Sequence, residues 1–297
     1  MSLTRRSFLA GSAALAAGCA TARTPNATPV VDTHLHCFAG ANDARFPYHA
    51  DGPYKPAEAA TPERLLRVMD EAGIDHAIVV HPEPYQDDHR YLEHCLAVGG
   101  KRLKGTCLYF AGRDSGMDAL VKRLPIVAGR IHAYAPERLP SFGKPELRAL
   151  WKRIADLGIA VQLHFEPRYA PGFEPLIQEF PRTTVIIDHL GRPLQGTPEE
   201  HEVVVRWSRF PNTVMKLSSF QPETQYPHRR VAPIIRRLAD AWGPDRMIYG
   251  GGFGAEATGA SYRATVERAR SFIAHLSAAD QAKVLGGNAA RLFRFDR

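Results

Sequence analysis

The run Val-Val-Asp-Thr-His-Leu-His-Cys at residues 30–37 carries two histidines spaced for one face of an extended strand. On a strand, alternate side chains point the same way, so Val30, Asp32, His34 and His36 share one face and Val31, Thr33 and Leu35 the other. A single inward histidine is an ordinary hydrogen-bonded core residue. Two imidazoles and a carboxylate together are harder to explain by packing, because each unpaired buried polar group costs on the order of several kcal/mol. The same alternation sets Arg130 and His132 apart from Ile131 and Ala133, and Gln162 and His164 apart from Val161, Leu163 and Phe165. It also separates Lys216 and Ser218 from Met215 and Leu217, and His189 closes an otherwise apolar stretch. Imidazoles converging on one cavity can polarise a carbonyl, hold a divalent metal or relay a proton. The convergence of the whole set argues for a site where any one member would not.

The elements that must position these residues are short apolar runs alternating with amphipathic segments. Strands are expected at 29–37, 76–82, 104–110, 127–133, 160–165, 184–189, 213–218 and 246–250. Helical patterns such as 62–73, 145–158 and 231–243 each end in glycine, a normal helix stop. Eight strands alternating with helices predict an α/β chain folded as a single (β/α)8 TIM barrel over residues 29–297. The Gly-x-Gly-x-x-Gly turn that would favour an open doubly wound sheet is absent after the first strand. Residues 38–61 form a long irregular insert expected over the barrel mouth, where Arg45, Tyr48, His49, Tyr54 and Lys55 can reach a substrate. Tyr48 and Tyr85 are the substrate-binding tyrosines expected from this region.

Composition bounds the rest. With 44% hydrophobic and 23% charged residues, the chain is of ordinary globular type, and its formal charge of +7 is spread without a long basic run. That argues against a nucleic-acid partner and leaves a small molecule as the expected ligand. Residues 1–19 combine Arg5-Arg6, a short apolar stretch and Gly18-Cys19. This resembles a twin-arginine export signal, followed by a linker at 20–28. The expected location is periplasmic or otherwise exported, and the export machinery is the expected partner. The membrane is involved only through the signal, or through a lipid anchor at Cys19, since residues 16–19 resemble a lipobox. If Cys19 ends the signal, Cys37, Cys95 and Cys107 remain. Their odd number and spacing support neither a disulfide framework nor a thiolate zinc site, so they read as small buried residues.

The ordered series resembles the amidohydrolase superfamily, in the branch of 2-pyrone-4,6-dicarboxylate lactonases and sugar lactonases. It comprises the H-x-H of His34 and His36, the block at 53–82, Tyr-Gln-Asp-Asp-His-Arg-Tyr-Leu at 85–92, and Gln-Leu-His-Phe ending at Phe165. It continues with Asp-His-Leu-Gly-Arg-Pro at 188–193, Val-Met-Lys-Leu-Ser-Ser at 214–219 and Gly-Asn-Ala-Ala-Arg-Leu-Phe at 287–293. The resemblance implies a barrel of the metal-dependent hydrolase type and a hydrolase adding water to a lactone or ester carbonyl of a small, carboxylated substrate. It implies catalytic roles for His34, His36, His164 and His189. Substrate contacts would come from Arg130, whose planar donor fork suits a carboxylate, and from His132 and Lys216. Relatives hold a divalent metal, such as zinc, on the H-x-H, the strand-five histidine and a strand-eight aspartate, or work with none; the candidate ligands here are His34, His36 and His164. The departure is at strand eight, where Gly252 stands in the place of that aspartate. Both standard mechanisms use the carboxylate, and as a general base it contributes roughly 10²–10⁴-fold. Glu256, four residues on, is the candidate replacement. The alternatives are a catalytically impaired periplasmic binding protein of this fold, or a metal-dependent decarboxylase.

Overall fold

The computed structural model describes residues 28–134, 142–219 and 230–295. The expected signal at 1–19, most of the linker and Cys19 lie outside the described residues. Eight parallel strands run in sequence order among the described residues: β1 Val31–Leu35, β2 His76–Val80, β3 Leu103–Leu108, β4 Ile126–Ala133, β5 Ala160–Phe165, β6 Val185–Ile187, β7 Thr213–Leu217 and β8 Met247–Tyr249. Each neighbouring pair from β1 to β8 is joined by a parallel ladder. The expected strands are all present, most of them trimmed by one to four residues. β1 and β8 close the barrel through side chains. Thr33 Oγ1 donates to the Tyr249 carbonyl at 2.6 Å, and Gly251 N–H donates to Asp32 Oδ1 at 2.7 Å. A Cβ at Gly250 would lie 2.8 Å from the His34 Cβ, so glycine is what lets the two strands meet at this seam.

The helices follow the strands: α1 Pro62–Ala72, α2 Arg90–Gly99, α3 Met117–Arg123, α4 Pro145–Asp156, α5 Glu174–Glu179, α6 Pro198–Arg206, α7 Val231–Trp242 and α8 Gly259–Phe272. Their starts are written locally. Thr61 caps α1 through Arg64 N–H, and capping boxes begin α6 (Thr197, Glu200) and α8 (Thr258, Ser261). One apolar layer lies between strands and helices and includes Leu35, Val79, Ile131, Leu163, Met215, Trp151 and Tyr262. A second fills the lower barrel, where Val31, Ile78, Ala128, Ile186 and Ile248 pack with Phe293 and Phe295 near the chain end. Cys37, Cys95 and Cys107 are buried free thiols. No helix among the described residues is long and apolar enough to cross a membrane.

β1 departs from strict alternation. Its pairing with β2 shifts between Asp32 and Leu35, so that three steps on β1 match two on β2. Val31 therefore belongs to the inner cluster, while Asp32 accepts a 2.5 Å hydrogen bond from the Tyr262 hydroxyl on α8. The irregularity then returns the histidines to the inside. Asp32 and His34 do not share a face, contrary to the alternation expected from sequence.

Candidate active site

Above the apolar plug, the barrel interior becomes polar. Asp188, just beyond β6, is the hub. Arg130 Nε and Nη2 reach its Oδ2 at 3.0 and 2.9 Å, Gln162 Nε2 donates to the same oxygen at 2.9 Å, and Lys216 Nζ lies 2.9 Å from Oδ1. Burial alone would push this carboxyl up, but Lys216 and Arg130 outweigh it and hold it well below the usual carboxylate range. Lys216 is fully buried, and burial lowers its pKa against the pull of Asp188. Its other contacts are the Thr33 carbonyl at 3.1 Å and His34 Nδ1 at 3.3 Å.

Five imidazoles form an arc over this hub. Ring centroids are 5.1 Å apart for His36–His34, 4.4 Å for His34–His189, 5.4 Å for His189–His164 and 5.0 Å for His164–His132. Burial lowers the pKa of every member, to about 4 for His36 and about 3 for His189, so the arc is neutral near pH 7. His34 Nδ1 lies 3.3 Å from Lys216 Nζ and 3.5 Å from Asp188 Oδ1, between a donor and an acceptor. A hydrogen bond assigns the tautomer of one ring of the arc. A carbonyl can only accept, so His36, whose Nδ1 lies 2.7 Å from the Val80 oxygen, carries its proton there and leaves Nε2 as an acceptor. His189 Nδ1 meets Ser218 Oγ at 2.9 Å. His189, Leu190 and Arg192 all adopt positive φ around Gly191, a left-handed turn that non-glycine residues adopt only under strain. That turn delivers both His189 and Arg192 to the cavity.

The cavity above the arc has a volume of about 640 Å³ and is lined by His36, His164 and His189, by Arg130 and Arg192, by Glu83 and Tyr134, and by Pro53 and Tyr54. Tyr54 comes from the long insert. The insert is pinned at its base by the Phe38–Ala60 bridge and at its tip by His49 N–H donating to the Pro84 carbonyl at 2.8 Å. At Gly52 a Cβ would come within 2.8 Å of that same carbonyl.

The structure brings His34, His36, His132, His164, His189, Arg130 and Lys216 to one end of the barrel, with Lys216 beneath the cavity. Three expected contacts fall elsewhere. Tyr48 donates to the Pro56 carbonyl at 2.9 Å, packs at a tilt against Tyr85 and does not line the cavity. Tyr85 is buried in the outer core, its hydroxyl accepting from Ala39 N–H, because the turn after β2 folds it away from the mouth. Glu256 is exposed on the loop before α8 and does not line the cavity either. A Cβ on Gly252, with φ of +142°, would meet the Tyr262 ring at 2.6 Å, so position 252 faces α8 rather than the histidines. Sequence reasoning missed Asp188 and Arg192. Asp188 sits two residues after the inward Ile186, a signal that was available. The left-handed turn that turns Arg192 inward leaves no trace in residue periodicity.

The metal implied by the resemblance can be tested on the donors. His34, Asp188 and His189 offer atoms within 4.8 Å of one another. Asp188 already neutralises two cations, and Lys216 stands 3.3 Å from His34. Around the cavity and its floor, Arg130, Arg192 and Lys216 face Glu83 and Asp188, three positive charges against two negative. A resident divalent cation would add to that excess, so the donor set does not fit one.

Comparison with known proteins agrees with the fold. The family model described as Amidohydrolase matches residues 31–295. The chain is 30% identical over 237 residues to a 2-pyrone-4,6-dicarboxylate hydrolase of Comamonas testosteroni, covering 74% of this chain and 75% of the relative. It is 25% identical to an L-fucono-1,5-lactonase of Burkholderia ambifaria, covering 90% and 96%. Among solved structures, a "probable 2-pyrone-4,6-dicarboxylic acid hydrolase" of Acinetobacter baumannii superposes with a TM-score of 0.72 at 20% identity, covering 90% of this chain and 99% of that one. A match running from β1 to the last described residue means that the chain belongs to the amidohydrolase family of hydrolases.

Proposed function

We propose that this protein is an exported hydrolase that opens the ring ester of a small lactone bearing at least one carboxylate. The observation that carries the reading is a cavity of neutral imidazoles walled by Arg130 and Arg192, with positive charge in excess. Curated relatives that act on lactones support the reaction class. Arg130 and Arg192 fix the substrate carboxylate through charge-assisted hydrogen bonds. The lactone carbonyl oxygen faces the imidazole wall, with His34 and the Lys216 ammonium buried behind it. As water adds and charge builds on that oxygen, the buried cation and the imidazole N–H groups that face it stabilise the tetrahedral intermediate. His36 Nε2 accepts from the attacking water and aims it; His189, held by Ser218, and His164 complete the wall. The twin arginines at positions 5 and 6 support export.

The test is hydrolysis of a panel of lactones, with and without carboxylates, by the purified full chain, read as acid release at constant pH. Turnover of 2-pyrone-4,6-dicarboxylate or a similar carboxylated lactone, with little on neutral lactones, supports the proposal. Binding of such compounds without turnover makes this a binding protein instead.

A further inference from the structure

We infer that Glu83 is the general base of the reaction, taking over the task of the strand-eight carboxylate that this chain lacks; the inference rests on the lactone-hydrolase reading. Four carboxylates could serve. Asp188 is held as an anion by Arg130 and Lys216 and is a poor proton acceptor. Asp32 is turned out of the barrel onto Tyr262 and Gly251. Glu256 is exposed. Among the described residues lining the cavity, Glu83 is the one carboxylate. It lies in the short turn Glu83–Tyr85 after β2, is only 6% exposed, and shares the cavity with His36 and His189.

Its setting orients it. His132 Nδ1 stands 3.0 Å from Oε1, and the Tyr134 hydroxyl donates to Oε2. The insert fixes the turn from the other side through His49 and Gly52 against Pro84. His132 is thereby a positioning residue.

Glu83 takes one proton from water while the water oxygen bonds to the lactone carbonyl carbon and the carbonyl π pair moves onto its oxygen. Collapse of the intermediate re-forms the carbonyl and breaks the bond between that carbon and the ring oxygen. Protonated Glu83 returns its proton to the departing ring oxygen, giving a hydroxy acid that loses its carboxyl proton to solvent.

The experiment compares wild type, Glu83→Gln and Glu83→Ala as full chains, on whichever carboxylated lactone wild type turns over. Isophthalate, a planar dicarboxylate that cannot be hydrolysed, serves as the binding probe. The expected result is a kcat lowered roughly 10²–10⁴-fold in both variants, with isophthalate affinity changed by no more than about threefold. Added formate should restore part of the rate to Glu83→Ala and none to Glu83→Gln. Glu83→Gln retaining kcat within about tenfold of wild type overturns the inference while leaving the hydrolase reading intact. So does a larger loss with weakened isophthalate binding and no formate rescue, the mark of a structural role. A wild type inactive on every lactone overturns the hydrolase reading, and this inference with it.

Discussion

Arg192 makes the clearest case at the residue scale. Its guanidinium lines the cavity and lies over Tyr134, 5.6 Å from the ring centroid. Replacing it with alanine should remove a charge-assisted contact of about 1.5–3 kcal/mol, raising KM for carboxylated lactones roughly 10–100-fold. Steady-state kinetics on carboxylated and neutral lactones checks this, since only the former should respond. Gly252→Asp restores the residue expected from relatives, yet its side chain would drive into Tyr262 from a backbone at φ +142°. The expected outcome is no gain in rate and a stability loss of about 1–3 kcal/mol, read by denaturant melts. The inward set Arg130, His132, His164 and Lys216 was legible in the sequence because β5, β7 and residues 128–133 of β4 alternate faithfully. Glu83 sits in the short turn after β2, and nothing in the residue pattern shows which way a turn will point a side chain.

At the scale of elements, the eight strands and the helices that follow them were readable because apolar periodicity and glycine stops survive without knowledge of the fold. What escaped at the site were two breaks in backbone regularity. β1 gains a residue against β2 and so reverses Asp32, and the turn at 189–192 runs left-handed. The first break puts Asp32 at the β1–β8 seam, buried, with burial raising its pKa despite donors from Tyr262, Gly251 and His34. Tyr262→Phe should therefore leave a buried carboxylate short of one partner at the joint of the barrel. The expected cost is about 1–3 kcal/mol, or roughly 2–10 °C in Tm for a domain of this size. Calorimetry checks it, and an unchanged Tm would mean that the seam does not depend on this bond.

Across the whole molecule, the neutral imidazole arc ties stability to pH. Burial lowers His36 to about 4 and His189 to about 3, against about 6.5 for the unfolded chain. Between those values the unfolded chain binds more protons, so stability is complete above about pH 6.5 and is lost as pH falls toward 4. Each such group contributes a slope of at most about 1.4 kcal/mol per pH unit. Melts between pH 4 and 8 should show a steep decline on the acid side and little change above neutrality. The N-terminal reading has its own check: Arg5→Lys with Arg6→Lys should keep the full chain in the cytoplasm, seen by fractionation.

The most direct measurement of the central claim is ring opening of 2-pyrone-4,6-dicarboxylate by protein freed of metal with a chelator. The charge balance of the cavity predicts turnover that the chelator does not diminish and that added zinc does not raise. Binding without ring opening, or turnover that appears only with added zinc, would contradict it.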